Sequence, residues 1–227
     1  MCGRFTLTVD PADLRDAFPG LTFPENMAPR YNVAPSQPVA VAANNGKNAV
    51  EFFKWGLVPS WAKDASIGNK MINARAETLA EKPSFRAAYK RRRCLILADG
   101  FYEWQSTPGA KSKTPMLIKL KSGEPFAFAG LWEVWHPDQE DAILSCTIIT
   151  TTPNALMEKI HNRMPVILKP EAYPLWLDTA EQTPDALSRL DKLLKPYPAS
   201  QMTAFPVSRL VNDPKNDSPE CVVKAEE

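Results

Sequence analysis

The second residue of the sequence, Cys2, carries the most informative chemistry in the chain. Initiator methionine is normally removed when a small residue follows it, so the mature chain would begin with cysteine. Such a residue places an α-amine with a pKa of about 8 beside a thiol with a pKa of about 8.5, both partly reactive at neutral pH. The amine can form a Schiff base with an aldehyde, and the thiol can then close a five-membered thiazolidine ring. The alternative is that Cys2 is an incidental second residue.

Two further residues have side chains suited to proton transfer. The segment 98–104 (ADGFYEW) ends a predicted buried strand with a turn and sets Glu103 among aromatic residues. Burial there would raise the pKa of the carboxyl group and suit it to general acid and base catalysis. His161 follows a helix-like stretch at 154–160 and titrates at about pH 6.5. An exposed strand-end glutamate is an equally good interpretation of Glu103, and a helix cap or dipole partner is, taken alone, the better interpretation of His161.

Polar and aromatic segments elsewhere could bind a sugar–phosphate chain. In the segment 71–77 (MINARAE), an extended backbone would direct Asn73, Arg75 and Glu77 to one face. Asn73 could hold a sugar hydroxyl or the N-terminal amine, and Arg75 a phosphate, although a salt bridge from Arg75 to Glu77 is an equal alternative. The segments 30–35 (RYNVAP) and 55–61 (WGLVPSW) contain residues of the kind that stack on bases, but core packing also explains most of these aromatics.

Composition narrows the class of protein. The chain is 44% hydrophobic and 23% charged, with no apolar run near the ~18 residues that span a bilayer, so we expect no membrane association. The start of the chain lacks a secretory pattern, which predicts a cytoplasmic protein with reduced thiols. Four cysteines without C-x-x-C spacing, and two histidines that do not flank them, argue against a zinc site. Lys plus Arg number 27 against 26 Asp plus Glu, so any nucleic-acid contact requires a local patch.

The elements that must position these residues are mostly short strands. Proline is frequent, 22 of 227 residues, which favours short elements joined by fixed turns. Helices are predicted to start at the Pro-containing pairs 10–11, 152–153, 169–170 and 183–184, with another helix-like stretch at 84–90. We therefore predict one α+β domain with a mostly antiparallel, closed or bifurcated sheet. Predicted strands cover 38–43, 50–57, 94–99, 115–120, 126–134, 145–151, 165–168 and 202–207.

Several of these segments together resemble the SOS-response-associated peptidase family, whose members shield abasic sites in DNA. The matching blocks are CGRF at 2–5, RYNVAP at 30–35, WGLVPSW at 55–61, NAR at 73–75, ADGFYEW at 98–104, IHNRMP at 160–165 and PVS at 206–208. The resemblance implies a single domain over 1–227, with a core at about 2–211 and a short tail at 212–227. It also implies a bifurcated β-sheet that forms a pseudo-barrel with a few peripheral helices.

By this resemblance, Cys2 is the nucleophile that forms a thiazolidine with the ring-opened deoxyribose after Met1 is removed, either by the protein's own peptidase activity or by a cellular aminopeptidase. Asn73 would orient the amine and the sugar, and Glu103 would assist ring opening and proton transfer. His161 would position the sugar hydroxyl or the adjacent phosphate. The chemistry is of the lyase type and largely single-turnover, with no cofactor or metal.

The same resemblance assigns residues that would contact DNA. The phosphates that flank the lesion are assigned to Arg4, Arg75 and Arg163. The junction between single-stranded and duplex DNA is assigned to Pro35 and Trp61. A weaker contact to the DNA backbone is assigned to Ser208. The expected partner is single-stranded DNA, or a single-strand/double-strand junction, containing an abasic site. We expect a monomer in the cytoplasm, associated with the nucleoid if bacterial, and the end of the chain at Glu227 makes a replication-clamp partner doubtful.

Two other classes of function remain open. One is an N-terminal-nucleophile amidohydrolase or cysteine peptidase, with Cys2 as the nucleophile and His161 or Glu103 as the proton carrier. The other is a noncovalent reader of single-stranded or modified DNA, whose binding would not depend on Cys2.

Overall fold

A computed structural model describes residues 2–109, 111–179 and 183–225. Within these ranges the strands are β1 Phe5–Leu7, β2 Arg30–Val33, β3 Pro38–Ala43, β4 Val50–Trp55, β5 Asn73–Arg75, β6 Arg93–Ala98, β7 Gly100–Gln105, β8 Thr114–Leu120, β9 Phe126–Trp135, β10 Ile143–Thr151, β11 Met164–Pro165, β12 Ile167–Leu168 and β13 Met202–Pro206. The α-helices are α1 Pro11–Ala17, α2 Arg86–Arg91, α3 Tyr173–Leu177 and α4 Pro184–Asp191. Short 3₁₀ helices cover Ala65–Lys70, Ala76–Thr78, Met157–Lys159, Pro170–Ala172, Ala199–Gln201, Arg209–Asn212 and Pro219–Cys221.

A closed barrel forms the centre of the molecule. Its strands are bonded in the order β9-β10-β4-β3-β6 and back to β9, all antiparallel except the parallel pair β10–β4. Apolar residues such as Val41, Phe53 and Phe128 form its core. Gly130 on β9 leaves room for the interior, because a Cβ there would lie 2.8 Å from Ile96 Cδ1 and 2.9 Å from Cys94 Sγ. The predicted α+β fold with a pseudo-barrel core is confirmed.

A second, antiparallel sheet in the order β13-β8-β7-β1-β2 lies against the barrel. Phe5 on β1 connects the two layers, since its ring centroid is 5.2 Å from that of Trp55 and 5.7 Å from that of Phe128. Burying such a side chain stabilises the fold by about 1.5–3 kcal/mol. The chain passes from barrel to second sheet at Asp99, between β6 and β7.

Asp99 holds β1 in place. Its buried carboxylate accepts hydrogen bonds from Thr6 Oγ1 at 2.6 Å and Thr8 Oγ1 at 2.5 Å, and its backbone N–H donates to Thr6 O at 2.9 Å. Gly100 lets the strands approach, because a Cβ on it would lie 2.8 Å from Thr6 Oγ1. The predicted end of a buried strand followed by a turn within 98–104 is confirmed as a bend at Asp99, and beyond it Glu103 lies in strand β7.

Two of the predicted helix starts are confirmed, and one predicted helix is wrong. The starts at Asp10 and Thr183 are confirmed, because each side chain accepts a backbone N–H in the first turn of α1 or α4. The predicted helix at 154–160 is wrong and is replaced by a short 3₁₀ helix. There Asn154 Oδ1 accepts the N–H groups of Leu156 and Met157, and this local turn competes with a regular helix. Among the described residues, no helix is long and apolar enough to cross a membrane.

Residues 212–225, expected to form a tail, pack against β2 and the second sheet. The Asp217 carboxylate accepts hydrogen bonds from Arg30 Nε at 2.5 Å and from the backbone N–H groups of Tyr31 and Asn32 at 2.5 and 2.9 Å. Cys221 is fully buried, and Ala225 N donates to Pro206 O at 2.9 Å. This segment therefore completes the packing of the edge strand β2.

Candidate active site

Cys2 lies where β1 enters the second sheet. Its side chain is 1% exposed, and its Sγ is 3.8 Å from Arg4 O. Burial raises the pKa of the Cys2 thiol far above its usual range, and the negative charge of Glu103 raises this pKa further. Residue 1 of the sequence is Met1, so the nitrogen of Cys2 is a peptide nitrogen in this form of the chain. The thiol is therefore protonated and shielded in this form of the chain.

Asn73 contacts the backbone of Cys2 directly. It begins β5, which pairs in parallel with β10 so that Asn73 lies beside Ile148. Its Nδ2 donates to Cys2 O at 2.9 Å. Its Oδ1 is buried, and no hydrogen-bond partner for it exists among the described residues. A buried acceptor without a partner is uncommon in folded proteins, so the Asn73 amide has capacity to hold one more donor close to Cys2.

Glu103 is brought alongside the start of the chain by the pairing of β1 with β7. Phe5 lies opposite Phe101, and Tyr102 N donates to Arg4 O at 3.0 Å, so the antiparallel ladder continues toward Cys2. The Glu103 side chain is 3% exposed, and burial raises the pKa of its carboxyl group above the usual value. The sequence prediction of a buried carboxyl with a raised pKa is therefore confirmed, and it arises within a strand.

His161 lies in the turn that follows the 3₁₀ helix Met157–Lys159. Its Nδ1 accepts the backbone N–H of Arg163 at 3.1 Å, which places the proton of the neutral ring on Nε2. Burial lowers the pKa of His161 below its usual value. The ring is therefore neutral near pH 7 and can donate a hydrogen bond through Nε2 to an acceptor such as a hydroxyl or phosphate oxygen.

Lys113 is a residue of the site that the sequence interpretation missed. It is exposed and immediately precedes β8, whose Thr114 pairs with Gln105 of β7. Gln105 Nε2 in turn donates to Lys159 O at 2.8 Å, which ties this hairpin to the turn of His161. The charge of Lys113 acts on both proton-transfer candidates, opposing the burial-driven rise in the pKa of Glu103 and adding to the burial-driven fall in that of His161. Its only sequence signal was a lysine in a polar loop.

The predicted phosphate-binding arginines differ in their availability. Arg75 is exposed on β5 and shares a face with Asn73. Arg163 forms a bidentate pair with Glu77, at 2.5 and 2.9 Å, and also donates to Thr150 O at 2.6 Å. Glu77 thus pairs with Arg163, not with Arg75 as the alternative had it. Of these two, Arg75 is the one that makes no ion pair within the described part of the chain.

Arg4 serves largely to join β1 to the C-terminal segment. Its NH1 donates to Asn32 Oδ1 at 2.8 Å and to Val211 O at 2.7 Å, and its NH2 donates to Asn212 O at 3.3 Å. The guanidinium carbon also lies 5.9 Å from the ring centroid of Trp104. A phosphate would have to use the donors that these contacts leave, so a phosphate role for Arg4 stays a prediction.

The residues predicted to meet the DNA junction lie on one surface. Trp61 is 58% exposed beside Lys63 and Lys70, and the three line a cavity of 480 Å³. Pro35 is half-buried, and the next residue, Ser36, donates through Oγ to Asn69 Oδ1 at 2.9 Å. That contact joins the Pro35 turn to the 3₁₀ helix Ala65–Lys70.

The remaining predicted contact, Ser208, has a local structural role. Its Oγ accepts Leu210 N–H at 3.3 Å and so caps the 3₁₀ helix Arg209–Asn212. For metal binding, no group of three or more His, Cys, Asp or Glu residues that could hold an ion occurs within 2–109, 111–179 and 183–225.

Comparison with known proteins identifies the family. The family described as SOS response associated peptidase (SRAP) matches residues 1–214. Abasic site processing protein YoqW of Bacillus subtilis (strain 168) is 52% identical over 225 residues, which cover 98% of this chain and 99% of the relative. Abasic site processing protein HMCES of Rattus norvegicus is 34% identical over 242 residues, covering 89% of this chain and 67% of the relative.

A crystal structure of a protein from Bacteroides thetaiotaomicron has the same architecture. It superposes with a TM-score of 0.85 at 26% identity and covers 99% of this chain and 100% of the other. The sequence resemblance is thereby confirmed along nearly the whole chain, including the segments that carry Cys2, Asn73, Glu103 and His161. The chain belongs to the SOS response associated peptidase family.

Proposed function

We propose that this chain processes abasic sites in DNA, and that it captures them in single-stranded DNA as a covalent thiazolidine crosslink through Cys2. Two of its relatives are named abasic site processing proteins, at 52% and 34% identity. The observation that carries the covalent proposal is the convergence of β1, β5 and β7 at Cys2. That convergence places the half-buried amide of Asn73 and the buried carboxyl of Glu103 beside the Cys2 thiol, in the residue proposed to become the N-terminus.

The proposed reaction balances without an external cofactor. The α-amine of Cys2 adds to the C1′ aldehyde of the ring-opened deoxyribose, and loss of water gives an imine. The thiol then adds to the same carbon: an S–C bond forms, and the thiol proton passes to the nitrogen. One water is the sole by-product. Burial raises the pKa of Glu103, which favours its protonated form, and from that form the carboxyl can donate the proton that the departing water needs and then accept the proton of the thiol.

The neighbouring side chains have positioning roles in this proposal. Asn73 holds the Cys2 carbonyl through Nδ2, and its partnerless Oδ1 accepts a hydrogen bond from the new amine or the sugar. Neutral His161 donates from Nε2 to a sugar hydroxyl or phosphate oxygen. Both roles use atoms whose orientation is set by backbone contacts, which favours a preorganised site.

Removal of Met1 must come first, and we propose that the chain can carry it out. Cys2 Sγ would attack the Met1 carbonyl carbon, the C–N bond would break as the nitrogen takes the thiol proton, and water would hydrolyse the thioester. Translation in a reconstituted system without aminopeptidase, followed by mass spectrometry, tests this step. We expect wild type to lose Met1 with time and Glu103→Gln to lose it more slowly; retention of Met1 by wild type would reject self-processing.

The DNA partner is proposed from local charge, since the net charge of the whole chain is only +1. Arg75 lies exposed next to Asn73, where a phosphate beside the trapped sugar would pass. The exposed Trp61 ring, with Lys63 and Lys70, offers a surface on which the last base pair of a duplex could stack. We therefore propose single-stranded DNA, including its junctions with duplex, as the partner of a monomer.

The deciding experiment mixes the purified protein with a single-stranded oligonucleotide that contains one abasic site. We expect a heat-stable, denaturant-resistant adduct in a one-to-one ratio for wild type and for the control Cys221→Ala, and none for Cys2→Ala. Absence of an adduct from a chain whose N-terminus is verified as Cys2 would reject the crosslink. Repeated turnover would instead favour an amidohydrolase, and noncovalent binding alone would favour a DNA reader.

A further inference from the structure

The turn that carries His161 is tied to the strand that carries Asn73 by a long-range ion pair. Arg163 NH1 donates to Glu77 Oε1 at 2.5 Å, and its NH2 donates to Glu77 Oε2 at 2.9 Å. Glu77 lies in the 3₁₀ helix Ala76–Thr78, directly after β5. The pair therefore joins two segments, 86 positions apart in the chain, that each supply a residue to the site.

The Arg163 side chain reaches Glu77 by crossing strand β10. Thr150 of β10 pairs with Arg75 of β5 on one side and with Pro165 of β11 on the other. Strands on opposite sides of a third lie roughly 10 Å apart, too far to share backbone hydrogen bonds. Arg163 NH2 also donates to Thr150 O at 2.6 Å, so the guanidinium is bonded along the crossing. Its contacts therefore hold β11 and the preceding turn against β5.

The main chain of Arg163 orients the His161 ring. Its backbone N–H donates to His161 Nδ1 at 3.1 Å, so a movement of Arg163 changes the position of the ring. The Arg163 side chain is 15% exposed, and a guanidinium at that depth is unfavourable without a charged partner. The hydrogen bond from Arg163 lowers the pKa of Glu77, which favours the ionised carboxylate. Loss of that carboxylate would therefore draw Arg163 toward solvent and release the ring.

We propose that Glu77 is a positioning residue of the crosslinking reaction, acting through Arg163 to fix the position and tautomer of the His161 ring relative to Asn73. This inference rests on the proposed function. Asn73 Nδ2 donates to the Cys2 carbonyl at 2.9 Å, so the ion pair also sets the position of His161 relative to the nucleophile. A displaced ring would not meet the sugar or phosphate oxygen to which Nε2 donates in the proposed reaction.

The first readout is the tautomer of His161, which requires no DNA. The chain has two histidines, so a protein labelled with ¹⁵N-histidine gives two sets of ring signals in a two-bond ¹H–¹⁵N spectrum, and His161→Gln assigns them. We expect wild type to show His161 protonated at Nε2, and Glu77→Ala to show a mixture of tautomers. The His136 signals should not change, and neither should those of His161 in Glu81→Ala, an exposed control with the same loss of charge. An unchanged His161 tautomer in Glu77→Ala would overturn the inference.

The second readout is the single-turnover rate of adduct formation at saturating abasic oligonucleotide, from folded chains whose N-terminus is verified as Cys2. We expect Glu77→Ala to slow the reaction by about 10-fold, and Glu77→Gln, which can keep one hydrogen bond, to slow it less. Glu81→Ala should react at the wild-type rate. In a His161→Ala background, Glu77→Ala should slow the reaction by no more than about 2-fold, because its effect is transmitted through the imidazole.

Equal slowing by Glu77→Ala in both backgrounds would contradict the inference. A faster reaction would contradict it as well, because the carboxylate would then be competing with a DNA phosphate for Arg163. If wild type forms no adduct, the proposed function fails even where the tautomer result holds. If wild type forms the adduct and the tautomer does not depend on Glu77, only the positioning role fails.

Discussion

Two regions of this molecule bury polar groups, and they differ in whether those groups have all their hydrogen-bond partners. Arg93 is 0% exposed between α2, α3 and the barrel. Its guanidinium donates to Trp176 O and Lys90 O at 2.8 Å, to Tyr89 O at 3.0 Å and to Asp178 O. These carbonyls lie at the C-terminal ends of the two helices, where the helix dipole favours a cation.

The site around Cys2 is buried to a similar degree but its polar groups are not fully partnered. Asn73 Oδ1 has no hydrogen-bond partner among the described residues, and burial raises the pKa values of both the Cys2 thiol and the Glu103 carboxyl. A completely bonded buried group indicates a structural role, whereas an incompletely bonded one indicates a place for a ligand. The comparison therefore predicts that Arg93 controls stability and that the Cys2 region controls chemistry.

The largest effect should follow Arg93→Met, which removes four hydrogen bonds and leaves the carbonyls of two helix ends unsatisfied. We expect a loss of about 3–5 kcal/mol in the free energy of unfolding, which corresponds to a fall in Tm of roughly 10 °C for a chain of this size. Thermal unfolding followed by circular dichroism measures this change. The exposed neighbour Arg91 is the matched control, and Arg91→Met should shift stability by no more than about 0.5 kcal/mol.

The adduct yield per folded molecule of Arg93→Met should equal that of wild type. A variant that keeps its Tm, or one that folds normally yet forms no adduct, would contradict the separation of the two regions.

Glu103→Gln should have the next largest effect, on rate. We expect adduct formation to slow by about 100-fold, because glutamine cannot donate and accept the protons of imine and thiazolidine formation. Single-turnover kinetics from pH 5 to 9 should show that the rate of adduct formation by wild type declines as the pH rises through the raised pKa of Glu103. The rate for the variant should not change across that pH range. Equal rates for the two proteins at every pH would remove Glu103 from the mechanism.

The same substitution also has a predicted effect on stability. Because the pKa of Glu103 is raised in the folded chain, the unfolded chain loses this proton first, at about pH 4.3. Wild type therefore loses stability as the pH rises from that value through the folded pKa, and Glu103→Gln does not. Urea unfolding at several pH values would show that the free energy of unfolding of the variant rises relative to that of wild type across this pH range. A constant difference would mean that the carboxyl is not buried as described.

Asn73→Ala should have the smallest effect of the three. It removes one hydrogen bond to the Cys2 carbonyl, a contact worth about 0.5–1.5 kcal/mol, so we expect adduct formation to slow by roughly 3- to 10-fold. Stability should change little, because the lost amide also takes away a buried oxygen without a partner. A large fall in Tm with an unchanged rate would assign Asn73 to the fold rather than to the site.

Local signals predicted much of the secondary structure correctly. The strand at 38–43 matches β3 residue for residue, and the capping residues Asp10 and Thr183 begin α1 and α4. Such features depend on side chains close together in sequence. The helix predicted at 154–160 was wrong because one side chain, Asn154, satisfies the same backbone groups in a tighter turn.

The site was predictable in its chemistry but not in its contacts. The thiol of Cys2, the carboxyl of Glu103 and the imidazole of His161 can be recognised as candidates by residue type and by the family resemblance. The pairing of Arg163 with Glu77, 86 positions apart, could not be predicted, and neither could the place of Lys113 at the site. Both depend on which strands become neighbours, and hairpin register and barrel closure are not encoded in any short segment.

The sequence by itself therefore determined which reactive groups the protein has, where most strands run, and that a cysteine stands at position 2, where removal of Met1 would make it an N-terminal aminothiol. The tertiary structure alone decided that β1, β5 and β7 meet at that residue, that burial shifts the pKa values of Cys2 and Glu103, and that Arg75 is exposed while Arg163 is paired. The physical reason is that side-chain chemistry is local, whereas desolvation and hydrogen-bond partnership depend on residues far apart in the chain.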